Sequence, residues 1–145
     1  MLRILSLGFG ALLFVAAVTQ NGSLYEVFDV PSTLLVVVGT FAIVGGTHGL
    51  AGCNLLIRAQ VLSIAAKDLP RLRAAIRTGV RAVWLTGGLG TLIGAIQILS
   101  YVGRTDDMSA FGTAVAVMLL TLLYSGLLHL FVFLPLERHF DPVQG

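Results

Sequence analysis

The sequence predicts an all-α membrane protein of four transmembrane helices crossing as two hairpins, on three observations. Apolar residues make up 57% of the chain and charged residues only 11%, with a mean hydropathy of +0.95, against roughly 25% charged residues in a typical soluble domain. Asp, Glu, Lys and Arg are clustered so that residues 4–20, 30–57, 82–103 and 108–136 contain none. The last three stretches exceed the ~20 residues a helix needs to cross ~30 Å of hydrocarbon. In a four-span arrangement Arg3, Arg58, Lys67, Arg71, Arg73, Arg77, Arg81 and Arg138 all fall on one side and Arg104 alone on the other. The positive side is the cytoplasmic one, so both termini are expected there. Residues 1–145 read as a single transmembrane domain, with spans at about 2–19, 33–57, 82–103 and 109–136 and a basic cytoplasmic segment at 58–81.

Span one has the outline of a secretory signal, an arginine followed by an apolar run. Thr19-Gln20-Asn21-Gly22 lacks the small-x-small pattern of a cleavage site, which favours a retained helix. Asn21-Gly22-Ser23 reads as a turn. Asp29-Val30-Pro31-Ser32 then opens span two, with Pro31 in a first turn where its missing N–H costs nothing. The glycines Gly39, Gly45, Gly46, Gly49 and Gly52 mark close helix contacts or a local bend. Thr33, Thr40, Thr47 and Asn54 recur every seventh residue, a stripe expected to face protein, either as interhelical hydrogen bonds or as the lining of a polar passage. His48 adjoins it, as a structural histidine or a proton relay. Cys53 is the single cysteine, a small apolar filler that can form no disulfide within a subunit.

In the basic segment, Asp68-Leu69-Pro70 looks like a helix cap followed by an early-turn proline. Arg73, Arg77 and Arg81 follow at every fourth position, opposite Leu69, Leu72, Ile76 and Val80. This basic face is expected to lie at the anionic headgroups of membrane lipids, or else to dock a partner. In span three, Gly87, Gly90 and Gly94 are packing positions that let another backbone approach. The short turn at 104–110 makes spans three and four antiparallel neighbours. Thr121, Ser125 and His129, spaced by four, form a polar line on span four, and Thr91 shares the face of Gly87 and Gly94 on span three. These hydroxyls are either interhelical glue or pore lining. Leu134-Pro135 is expected to close span four.

No carboxylate or cationic side chain lies within a span, so the chain alone is a poor proton carrier. Gly87-Gly88-Leu89-Gly90 sits inside an apolar span with no lysine after it and is no phosphate loop. His139 and Asp141 lie in the tail with no nucleophile placed beside them. Neither enzymatic activity, nor a cofactor, nor a metal, nor a nucleic-acid partner is expected.

Two segments together resemble the MotA side of the MotA/TolQ/ExbB proton-channel family. The more specific runs from Gly90-Thr91-Leu92-Ile93-Gly94-Ala95-Ile96-Gln97-Ile98-Leu99 through Asp106-Asp107 to Ala114-Val115-Ala116-Val117-Met118-Leu119-Leu120-Thr121-Leu122-Leu123-Tyr124 and Phe133-Leu134-Pro135. The other runs from Asp29-Val30-Pro31-Ser32 to Val38-Gly39-Thr40-Phe41-Ala42. The resemblance covers most of the chain. It implies a homopentamer in a bacterial inner membrane, with spans three and four around a central pore. It also implies a single-span MotB/TolR/ExbD-like partner whose Asp carries H+ or Na+, with Thr91, Thr121 and Ser125 bordering the ion route. The chain would then be a channel-forming subunit of an ion-driven motor or energy-transducing complex, that is, a stator-type component. A non-conducting homo-oligomeric scaffold with a lipid- or side-chain-plugged centre is the alternative. Three departures from the pattern are visible: residues 58–81 stand where MotA-type members carry a large charged cytoplasmic domain, Leu122 replaces the second threonine of a Thr-Thr pair, and Trp84 replaces a proline.

Overall fold

The computed structural model describes residues 29–62, 64–101 and 108–140. The first predicted span, the Asn21-Gly22-Ser23 turn and the acidic turn at 104–107 lie outside the described residues. The chain is a helical membrane protein: Val30–Val61, Ala66–Ser100 and Phe111–Phe140 are each long and apolar enough to cross a bilayer. Helix α1 covers Val30–Val61. A 3-10 turn at Ala66–Asp68 leads into α2 (Leu69–Tyr101). Helix α3 (Met108–Leu128) passes through a π-helical turn (His129–Phe133) into α4 (Leu134–Phe140).

The start of α1 follows from its local chemistry. The Asp29 carboxylate accepts the Ser32 N–H at 2.9 Å, the Asp29 carbonyl accepts from the Thr33 N–H and hydroxyl, and a proline occupies the first turn. Such a cap satisfies backbone donors that would otherwise lack partners. The Asp29 amide also donates to the Tyr124 hydroxyl at 2.8 Å, tying the start of α1 to α3.

Predicted span two is not one straight helix. Gly49 has φ 71° and ψ 173°, a backbone conformation that costs glycine little and breaks the helix. Beyond the break the Cys53 thiol lies 3.5 Å from the Phe41 carbonyl. In a straight helix those twelve residues would span about 18 Å, so the segment after Gly49 folds back beside the segment before it. The part from Val30 to His48 alone measures about 28 Å, close to the hydrocarbon thickness. The seven-residue stripe does not stay buried: Thr40 is buried, Thr47, before the break, is exposed and bonds to its own helix, and Asn54, after it, is exposed.

Helix α2 is continuous for 33 residues, about 50 Å. The basic segment and span three are therefore one rod, with no interruption at Trp84. Its apolar face enters the core with α1 and α4: Leu72, Ala75 and Ile76 are fully buried with Leu56, Phe133 and Leu136. Arg73, Arg77 and Arg81 stay exposed on the other side.

Pro135 does not close the last span; the helix continues to Phe140. A proline ring collides with the carbonyl four residues back and supplies no N–H. Here the turn before it widens, so that the Leu134 N–H reaches the His129 carbonyl and the helix absorbs the proline. Gln60 adds a hydrogen bond to the Val132 carbonyl at 3.1 Å. The widened turn seats Phe133, fully buried, over Gly79, where its ring occupies the place a Cβ would need.

Candidate functional site

The seam between α2 and α3 collects the residues that the sequence singles out. Contacts pair rising numbers on α2 with falling numbers on α3: Gly79 with Phe133, Gly87 with Ser125, Gly90 with Thr121 and Gly94 with Met118. The two helices are antiparallel neighbours, and glycines set their approach. A Cβ at Gly87 would collide with Ser125 Oγ. One at Gly90 would lie 2.7 Å from Leu35 Cδ2 and 3.0 Å from Thr121 Cγ2, and one at Gly94 3.0 Å from Met118 Cβ. Small residues here let side chains of the facing helix seat directly on the α2 backbone, a close approach that favours helix association where lipid supplies no hydrophobic force.

On this seam Thr91 and Thr121 meet, their hydroxyls 3.0 Å apart. Thr91 Oγ1 also lies 2.9 Å from the Gly87 carbonyl and Thr121 Oγ1 2.8 Å from the Met118 carbonyl. Each hydroxyl has a single proton, so one donates across the seam and the other to its own helix. Ser125 donates to the Thr121 carbonyl at 2.7 Å. Thr91 is half-buried, Thr121 is 4% exposed and Ser125 is fully buried. Leu122, in contrast, is 43% exposed and faces out of the subunit. Thr91 lies ten residues from Arg81, roughly 15 Å along the helix, and Thr121 sixteen residues from Glu137, roughly 24 Å. The pair therefore sits deep within the apolar stretches.

A second hydroxyl pair joins α1 to α2. Thr40 and Thr86 approach to 3.2 Å, both buried, and Thr86 reaches the Ala82 and Val83 carbonyls at 3.0 and 3.1 Å. Thr86 was not anticipated from its sequence neighbours; its spacing of four from Ala82 and Gly90 was the available signal. Next to it, Gly39 admits Thr86 Cγ2 at 3.0 Å from where a Cβ would stand.

His48 and His129 differ in their surroundings. His48 Nε2 pairs with Thr78 Oγ1 at 2.8 Å, and the His48 carbonyl, at the Gly49 break, accepts from Arg71 at 2.9 Å. That is a structural role at a helix interruption. His129, in the π-helical turn, stacks at a tilt on Trp84 with ring centroids 5.6 Å apart, and its Nδ1 is buried without a hydrogen-bond partner among the described residues. It is not joined to Ser125 by any hydrogen bond among those described, so the line Thr121, Ser125, His129 is continuous only as far as Ser125. Gln97 is exposed, and Ser100, also exposed, bonds to its own helix. Among the described residues no group of three His, Cys, Asp or Glu is placed to hold a metal ion.

No family model, no curated protein and no solved structure matches this chain.

Proposed function

We propose that this chain is a MotA-like channel-forming subunit of an ion-driven motor or energy-transducing complex. It crosses a bacterial inner membrane four times with both termini cytoplasmic, and assembles as a homopentamer around a single-span MotB/TolR/ExbD-like partner. The observation that carries this reading is the Thr91–Thr121 hydroxyl pair. It joins the two helices that bear the resemblance, deep in stretches that hold no carboxylate or cation. A subunit of this kind borders the ion route with hydroxyls and leaves the carrying carboxylate to its partner. The test is native mass measurement of the complex purified from its own membrane, with proton and sodium flux into vesicles holding the co-purified pair. Five copies with a single-span partner, and flux reduced in Thr91→Val and Thr121→Val, are expected. A monomer or dimer without a partner overturns the reading.

A second reading, a non-conducting scaffold, is favoured by one observation: Thr121 and Ser125 turn into the subunit and satisfy one another and the backbone, while the outward position carries Leu122. On that reading the same pentamer forms with an apolar, lipid-filled axis, vesicles stay tight to both ions, and the valine variants affect stability alone.

A further inference from the structure

We infer that a notch at the outer end of α2 and α3 seats the chain's own residues 24–28, with Gln97 as the hydrogen-bonding group that holds them. Antiparallel contacts set the heights: Thr40 lies beside Thr86 and Leu35 beside Gly90. At that pace Val30, the first residue of α1, comes level with about residue 94 of α2. Helix α2 runs on to Tyr101, about 10 Å farther. Thr86, Gly90, Ile93 and Gln97, spaced by four, three and four, form one row on α2. Helix α1 covers the first two and leaves Ile93, 48% exposed, and Gln97 open. On the α3 side of the notch Val117 is 40% exposed. It stands two turns outward of Tyr124, whose hydroxyl accepts from the Asp29 amide.

The place where the chain enters α1 identifies the occupant. Asp29 is extended, with φ −103° and ψ 111°, so the residues before it leave the helical path at the mouth of the notch. Extended backbone rises about 3.3 Å per residue. Val27 and Phe28 therefore fill the notch, and Glu26 emerges near the end of α2, where its charge meets water. Val27 and Phe28 are apolar, as are Ile93 and Val117 beside them. Gln97 supplies the polar match. It lies sixteen residues from Arg81, roughly 24 Å, inside the charge-free stretch that ends at residue 103. Its amide has no hydrogen bond among the described residues. At that depth an unpaired amide and an extended backbone are both costly unless each finds a partner in protein. A carboxamide carries the same donor and acceptor as a peptide group, so Gln97 can satisfy one peptide of residues 27–28. Acyl chains offer no such pairing. The inference does not rest on ion conduction, and it holds whether or not the first predicted span is retained.

The test uses the full chain in nanodiscs, in a Cys53→Ala background that removes the single cysteine. On oxidation, Phe28→Cys/Ile93→Cys and Phe28→Cys/Val117→Cys should form a disulfide within one chain, about fivefold faster than Phe28→Cys/Leu99→Cys. Leu99, 73% exposed, stands at a similar height on the opposite side of α2 from Gln97. Phe28→Cys alone should react more slowly than Glu26→Cys with a membrane-impermeant maleimide. Gln97→Leu should speed the Phe28→Cys reaction about threefold, the worth of one interhelical hydrogen bond in a membrane. Disulfides that join two chains instead of one assign the notch to a second copy. Phe28→Cys labelled as fast as Glu26→Cys, with no cross-link, assigns it to lipid. Either result overturns the inference, as does equal cross-linking at Ile93 and Leu99, or a labelling rate that Gln97→Leu leaves unchanged.

Discussion

Gly79 and Phe133 show how much a single residue decides in this protein. The Phe133 ring fills the space where a Cβ on residue 79 would stand, with α2 backbone behind it. Gly79→Ala should therefore cost about 1–3 kcal/mol through overpacking, read as a lower thermal midpoint in detergent. Gly88→Ala, at a position with open space around it on the same helix, should leave the midpoint unchanged or raise it, because alanine is the better helix former by about 0.5–1 kcal/mol. A fall of equal size in both variants would show that the Phe133 contact is not what distinguishes them. The hydroxyl pairs give a finer measure. Thr40→Val and Thr86→Val, alone and together, should show a coupling of about 0.6 kcal/mol, the usual worth of an interhelical hydrogen bond in a membrane. Strict additivity in that cycle would mean that the 3.2 Å approach contributes no interaction of its own.

At the scale of elements, two helices depart from regularity, and each departure has a local cause. Helix α1 breaks at Gly49, where φ is 71°, and the freed His48 carbonyl is met by Arg71. Alanine at 49 would have to hold a left-handed backbone, so Gly49→Ala should destabilise by about 1 kcal/mol or more. Distance measurement between spin labels on Phe41 and Asn54 should show whether the fold-back survives; an unchanged midpoint with an unchanged distance would rule out strain at this position. In the last span, Pro135 and the π-helical turn before it act together. Pro135→Ala removes the ring that the widened turn accommodates. Faster amide exchange at Gly79 and Phe133 in that variant would show that the turn had closed up and withdrawn Phe133 from its seat; exchange that does not change would uncouple proline from turn.

For the whole molecule, Arg71, Arg73, Arg77 and Arg81 all fall within the first thirteen residues of α2, at one end of that helix. In a Cys53→Ala background, a cysteine at Lys67 should be protected from a membrane-impermeant maleimide in intact cells, and one at Ser109 should be labelled. The reverse pattern would invert the orientation that charge assigns. The same background also tests the first span, since a cysteine at Ser6 should be protected on the side shared with Lys67 if four helices cross.

Hydropathy and charge were enough to assign this chain to a bilayer and to bound its apolar stretches, and small-residue spacing pointed to Gly87, Gly90 and Gly94, where facing side chains come close. These features depend on composition and on spacing along one helix, which sequence records directly. The entry at Asp29-Val30-Pro31-Ser32 was legible for the same reason, since the Asp29 contacts to Ser32 and Thr33 lie within four residues, although the helix begins at Val30 and not near residue 33. What the tertiary structure alone decided was where each helix stops behaving as a helix and which way its polar groups turn. The fold-back at Gly49 goes with Leu56 and Ala59 finding buried places in the shared core and with Gly52 fitting against His48 and Val44 of the preceding segment, and one of five glycines in that span could not be preferred from spacing. Passage through Pro135 depends on Phe133 having Gly79 to pack against. Thr121 and Ser125 turn inward and Leu122 outward because the partner across the seam is a row of glycines. A helix read alone shows that its faces differ; only its neighbours determine which face is buried.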